Sequence, residues 1–285
     1  MLWDLDPQGA ASFMFRVKPR VKGGGKAIIS GKRTLDDAIK GTDFDNLDLI
    51  PADFTYRNMD LLLDSGDGKP ADAPGGKPAR KLGRLLAPLA AEYDAVFLDC
   101  PPSVSLVSEN VLHAADVIVV PLIPTTLSVR TLDQLTEFVD EFAGRKPAIL
   151  AFFSMVDRRK KLHREISEKL SADRAEVAAT AIPALSVIET MSVERAPVAV
   201  FAPNTAAAKA YRALWAEVSA VTGKRSRSRS LLARPACPAR GTSGPSSPPA
   251  RERPPDPVAA LAPGPVAPSP VLRRPVAPGG VALAR

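Results

Sequence analysis

Two short stretches carry the acidic residues best placed to do chemistry. The first is Asp4-Leu5-Asp6-Pro7-Gln8-Gly9, which overlaps the end of the apolar run Leu2–Leu5. Carboxylates two positions apart share a face if an extended strand runs through both. Pro7 and Gly9 shape a turn, and Gln8 offers an amide. Carboxylates so placed can hold magnesium-bound water or orient a nucleophilic water. The same residues also suit a polar turn that caps the next helix. The second stretch is Asp99-Cys100-Pro101-Pro102, which closes the apolar run Ala95–Leu98. An Asp there can hold Mg²⁺ through water beside a phosphate, although any strand of an α/β protein can end in Asp. Cys100 reads as a small apolar residue rather than a nucleophile. A third group, Arg158, Arg159, Lys160, Lys161 and Arg164, is the best basic cluster of the first 223 residues. It would make sequence-independent, salt-sensitive phosphate contacts, or it is a solvated helix start.

The elements that must position these residues follow from periodicity. Val117–Leu122 (VIVVPL) and Ala148–Phe153 are unbroken apolar runs of the kind found in buried parallel strands. Leu47–Ile50 is a shorter one, and Ala178–Ile182 a weaker one. Arg80–Tyr93 places Leu82, Leu85, Leu86 and Leu89 on one helical face. Leu127–Phe142, Lys161–Leu170 and Thr205–Val221 are further helices. Strands alternating with helices predict an α/β domain, a mostly parallel sheet flanked by helices on both faces. Ligands in such sheets sit beyond the carboxyl ends of the strands, where both acidic stretches fall. Asp64–Pro78 reads as a loop.

Composition divides the chain at Gly223. Residues 224–285 hold 11 of the 38 Lys and Arg, two of the 31 acids and 14 of the 29 prolines, with no aromatic residue. The formal charge of +7 is therefore a tail of +9 on a body of −2. The expected organisation is a domain at 1–223 and a disordered Pro/Arg/Ala-rich tail at 224–285. The tail reads as a solvated appendage, as a weak nucleic-acid contact, or as out-of-frame translation of GC-rich DNA. Two cysteines and two histidines exclude a disulfide scaffold and a histidine-rich metal site. No apolar run approaches the ~20 residues of a membrane span, and the first residues lack a secretory layout. A cytoplasmic protein is expected.

DLDPQG near the start, FLDCPPS about ninety residues on and VPLIPTTLSVRTLDQL after it resemble the ParA family of ATPases. FFSMVDRRKKLHREI and ETMSVERAPVAVFAPNTAAAKAYRALWAEV extend the resemblance over about residues 1–222. It implies a P-loop NTPase-like fold that binds ATP and Mg²⁺. Asp6 would help position the hydrolytic water, with Asp4 as its companion and with Gln8 and Gly9 in the same nucleotide-side motif. Asp99 resembles the Walker B Asp, and with Asp6 it would serve the metal. Pro101 and Pro102 would belong to the second switch, and Pro203 to the segment near the adenine. The resemblance further implies a homodimer that binds non-specific DNA on the nucleoid, answers to a ParB-like stimulating partner, and segregates a chromosome or plasmid. A membrane-binding role would call for an amphipathic C-terminal helix with apolar anchors, and the tail disfavours it.

The family's P-loop and first strand are expected upstream of DLDPQG, and here Met1 stands three residues before Asp4. Lys22-Gly23-Gly24-Gly25-Lys26-Ala27 resembles a shortened P-loop. It lacks one residue and the Ser/Thr, follows the acidic motif and has no strand before it, so it reads as a basic glycine-rich loop. Either the start is misassigned or the chain is a fragment, or the protein is a non-catalytic ParA-like remnant or regulatory module unable to bind ATP. Loss of a central strand would leave neighbouring edges unpaired and a groove in the core.

Overall fold

The computed structural model describes residues 1–64, 81–101, 105–142, 145–232 and 281–284. Seven strands form one sheet: β1 (Leu2–Asp4), β2 (Lys40–Gly41), β3 (Asp48–Ile50), β4 (Val96–Asp99), β5 (Val117–Leu122), β6 (Ala148–Phe153) and β7 (Val281–Ala284). Their order is β2-β3-β1-β4-β7-β5-β6. β1 runs parallel to β3 and β4, and β5 parallel to β6. β2 is antiparallel at the edge, and β7 is antiparallel to both of its neighbours. The mostly parallel sheet with helices on both faces is the α/β architecture predicted from periodicity.

The helices are α1 (Ala10–Met14), α2 (Gly24–Ile29), α3 (Met59–Asp64), α4 (Lys81–Leu86), α5 (Leu106–Ala114), α6 (Thr126–Asp140), α7 (Lys161–Asp173), α8 (Ser186–Glu189), α9 (Met191–Glu194), α10 (Val198–Phe201) and α11 (Ala206–Leu232). Successive strand residues point to opposite faces, and β5 shows the result. Ile118, Val120 and Leu122 pack with Leu132 and Val139 of α6. Val117 and Val119 pack with Leu214 and Val218 of α11 on the other face. Trp3, Val96 and Leu98 join a third cluster with residues of α2, α3, α4 and α5. The starts of α5 and α6 are set by Ser105 and Thr125, whose hydroxyls accept the amides of Ser108 and Ser128.

β5 and β6 match their predicted spans. Ala178–Ile182 forms no strand of its own; isolated bridges join Ala151 to Val177 and Val156 to Pro183 beside β6. The Asp64–Pro78 loop lies, beyond Asp64, outside the described residues. Two short pieces of the segment expected to lack structure, at its start and near its end, carry regular backbone. α11 runs on to Leu232, since the first proline after Gly223 is Pro235. Val281–Ala284, which is proline-free, forms β7. The expected unpaired edges are not seen among the described residues. β7 pairs along β4 from Val96 to Asp99 and along β5 from Val117 to Val119. These pairings satisfy backbone groups of β4 and β5 that a covered sheet would otherwise leave without partners.

Candidate functional site

β1 ends at Asp4, held between β3 and β4. The Asp4 side chain is fully buried. Its Oδ2 accepts the Ser12 amide at 2.7 Å and the Ser12 hydroxyl at 2.7 Å. Ser12 Oγ in turn accepts the Ala52 amide at 2.8 Å, so one hydroxyl ties β1, α1 and the chain after β3 together. Asp4 Oδ1 is sealed from solvent without a hydrogen bond of normal geometry. Burial pushes the Asp4 carboxyl above its ordinary value, and the Ser12 bonds oppose that rise.

The strand does not continue to Asp6, so the condition under which Asp4 and Asp6 would share a strand face is not met. Asp6 enters a turn instead: its Oδ1 accepts the Gln8 amide at 2.9 Å, and its carbonyl accepts the Gly9 amide at 2.9 Å. Gly9 caps α1 at φ 67°, and a Cβ there would lie 3.3 Å from Pro19 Cβ and 3.4 Å from that of Ala52. Left-handed backbone and close packing both call for glycine. The Gln8 side chain is exposed.

Asp99 ends β4 in register with Asp4. Burial, followed by the charges of Asp4 and Asp6, pushes its carboxyl up to about 6. The structure thus gathers Asp4, Asp6 and Asp99 at the carboxyl ends of two adjacent parallel strands. Pro101 follows, half-buried, and Pro102 lies outside the described residues. Pro203 is exposed between α10 and α11, and its carbonyl accepts Arg212 at 2.6 Å. The chain shortly before it does reach the acidic turn's helix. Arg195 Nε donates to the Phe13 carbonyl at 2.8 Å, and Arg16 donates to the Glu194 carbonyl at 2.9 Å.

Among the described residues no three His, Cys, Asp or Glu side chains converge closely enough to hold a metal ion by themselves. Of Asp4 and Asp99, the partly exposed Asp99 carboxylate is the one that fits a hydrated Mg²⁺, bound through water and by few protein groups, with sealed Asp4 behind it. Lys22–Ala27 supplies no phosphate cradle beside them. It starts α2 rather than remaining a loop, because its glycines let the backbone pack closely. The Gly25 amide donates to Thr55 Oγ1 at 2.8 Å. A Cβ on Gly24 would meet Thr55 Oγ1 at 2.7 Å, and one on Gly25 would meet the Tyr56 ring at 2.8 Å.

The basic cluster sits at the start of α7, with Arg158, Arg159, Lys160 and Arg164 all exposed. Arg159 grips Asp157 with two bonds of 3.0 Å, which hold that carboxyl down at about 2. Arg164 donates to the Arg158 carbonyl at 2.8 Å, and Lys161 pairs with Glu165 at 3.5 Å. Two contributors escaped sequence reasoning. Buried His163 accepts the Asp157 amide through Nδ1 at 3.2 Å and so anchors the loop. Ser12, two residues into α1, could have been found only as a hydroxyl following a buried strand-end acid.

A mostly parallel α/β sheet with acids gathered at its strand ends places a candidate ligand site in the crevice beyond those ends. Residues 1–151 match the family described as AAA domain, and the chain belongs to this family as a ParA-family protein. It is 32% identical over 144 residues to the chromosome partitioning protein ParA of Myxococcus xanthus, covering 49% of this chain and 47% of that one. A plasmid partition protein of Borrelia burgdorferi bound to AMPPNP shares the fold, with TM-score 0.62, 20% identity, and 79% and 86% of the two chains covered. The cobyrinic acid a,c-diamide synthase of Mycobacterium smegmatis, with bound ATP analogue and magnesium, has TM-score 0.54, 26% identity, and 68% and 77% coverage. Among the described residues no helix is long and apolar enough to cross a membrane.

Proposed function

We propose that the chain is a ParA-type partitioning ATPase whose acidic centre is Asp4, Asp6 and Asp99. The observation that carries this reading is the register of buried Asp4 with half-buried Asp99, which makes a mutually repelling pair at a strand end. Such strain is relieved by a cation, and perturbed carboxylates of this kind mark functional centres. Asp99 would hold Mg²⁺ through water, with Asp4 beside it. Magnesium there would supply positive charge against the phosphates of ATP. Asp6, fixed by its turn, would orient the attacking water, and the Gln8–Gly9 turn, Pro101, Pro102 and Pro203 would border the nucleotide.

The reading extends to a globular unit at 1–223, homodimerisation, and non-specific DNA contact through Arg158, Arg159, Lys160 and Arg164. It also extends to a ParB-like stimulating partner and segregation of a chromosome or plasmid on the nucleoid. What supports it is family membership and exposure of the basic cluster at a helix start. The test is magnesium-dependent ATP turnover by the full chain, with and without DNA. Asp6→Ala is expected to abolish turnover and to spare nucleotide binding. Unchanged turnover in that variant would remove Asp6 from its role, and no turnover in the parent chain would remove the enzyme.

A further inference from the structure

A cleft of about 500 Å³ lies on the β2 side of the molecule. Its walls carry Arg20, Lys22, Arg33 and Lys40, and a single acid, Asp37. Buried Val21 and Ala38 form its apolar lining. We propose that this cleft binds a small, multiply charged phosphate anion, at a place separate from the acidic centre.

The cations come from three elements whose backbones are fixed independently. The Arg20–Lys22 segment is pinned by buried Asp53, whose Oδ2 accepts the Val21 amide at 2.8 Å. The Arg33 amide donates to the Ala27 carbonyl at 3.0 Å, just beyond the end of α2. Lys40 lies on β2 in register with Leu49. The backbone that carries the cations is therefore held before any ligand arrives, which leaves only the side chains to be ordered on binding.

Its charge is not balanced from within. None of the four cations forms an ion pair with another described residue, whereas exposed Arg16, Arg159 and Lys161 each have an acidic partner. Asp37 Oδ2 is already accepting the Thr34 amide at 3.2 Å. Asp53 feels Arg20, but its oxygens are taken by Val21 and Thr55. Four cations around one concavity repel each other until an anion enters. Arginine forks and lysine ammonium groups together suit phosphate oxygens. The size is that of small-ligand pockets.

The probe is inorganic pyrophosphate, titrated calorimetrically into the full chain at low salt without magnesium. The Arg33→Ala/Lys40→Ala variant is expected to bind roughly tenfold or more weakly. Asp37→Asn should bind a few-fold more tightly, and Asp99→Asn should bind as the parent does. Neither Arg33 nor Lys40 has a side-chain hydrogen bond to lose among the described residues, so a melt matching the parent's will show that the double variant folds. Displacement of pyrophosphate by duplex DNA would identify the phosphate source as a nucleic-acid backbone at the same cations. Absence of binding, affinity indifferent to the cleft variants, or equal loss in Asp99→Asn would overturn the proposal. The result is independent of ATP turnover, so it stands or falls apart from the acidic centre.

Discussion

Asp4 and Asp99 are paired across β1 and β4, yet only Asp4 is given donors. The Asp99 carboxylate takes no hydrogen bond among the described residues, and it bears the cost of its neighbours' charge as a raised value of about 6.

This asymmetry sets a pH dependence. A carboxyl raised in the folded state contributes stability that is whole below its unfolded value, near pH 4. That contribution is lost as pH rises through about 6. Asp99→Asn should therefore be more stable than the parent at pH 7.5, by up to ~3 kcal/mol, and nearly equal at pH 4. Urea unfolding at the two pH values measures it, and a gain of the same size at both would refute the charge argument. The variant should nevertheless lose turnover if Asp99 serves the metal.

Ser12→Ala removes the hydroxyl that joins Asp4 to Ala52. It leaves the buried Ala52 amide without an acceptor and Asp4 with one bond fewer. The expected loss is ~1–3 kcal/mol in chemical denaturation. A loss below a few tenths would mean that water or a backbone shift replaces the hydroxyl.

Gly24→Ala places a methyl group against Thr55 at a left-handed residue. Strain and contact act together, so a melting temperature lowered by several degrees is expected. The double variant Gly24→Ala/Thr55→Ser keeps the hydroxyl and removes a methyl group. It should recover part of the loss, and no recovery would assign the effect to backbone strain together with the retained hydroxyl contact.

Asp157→Asn frees Arg159 from its bidentate partner and removes a negative charge from the cluster. If the cluster meets DNA phosphates, affinity for duplex DNA should rise several-fold, and the dependence on log salt should steepen by about one contact. Unaltered binding would place DNA elsewhere on the chain.

Ending the chain at Gly280 deletes the β7 pairings. Two strands then lose their shared neighbour, and the shortened protein should melt earlier and self-associate by light scattering. Ala282→Pro, which removes a donor inside the sheet, should do the same. Parent-like melting and size in both variants would show that β7 does not support the sheet.

What could be read from sequence was what neighbouring residues decide. The β-branched runs of β5 and β6 have one plausible fate, burial as strands, and Asp99 declares itself by closing such a run. Asp6 was legible as a turn residue, but whether the strand reached it depended on pairing with β3 and β4. The Lys22–Ala27 segment reads as a loop by composition, yet Thr55 and Tyr56 accept its glycines closely enough to start a helix. The cleft cations are spread over twenty residues and meet only through the fold. β7 was illegible for the same reason, since Val-Ala-Leu-Ala carries no address naming Leu98 or Ile118 as its partners.

The placement of β7 has a consequence for synthesis. Asp99 and Val119 emerge from the ribosome long before Val281, the residue that is paired with both. The two halves of the sheet must wait, each with an exposed edge, until Val281 has been made. Contacts so distant in sequence form slowly, and waiting edges invite neighbouring nascent chains. The yield of folded protein should therefore depend on translation rate and chaperone supply more than the modest size of the domain suggests.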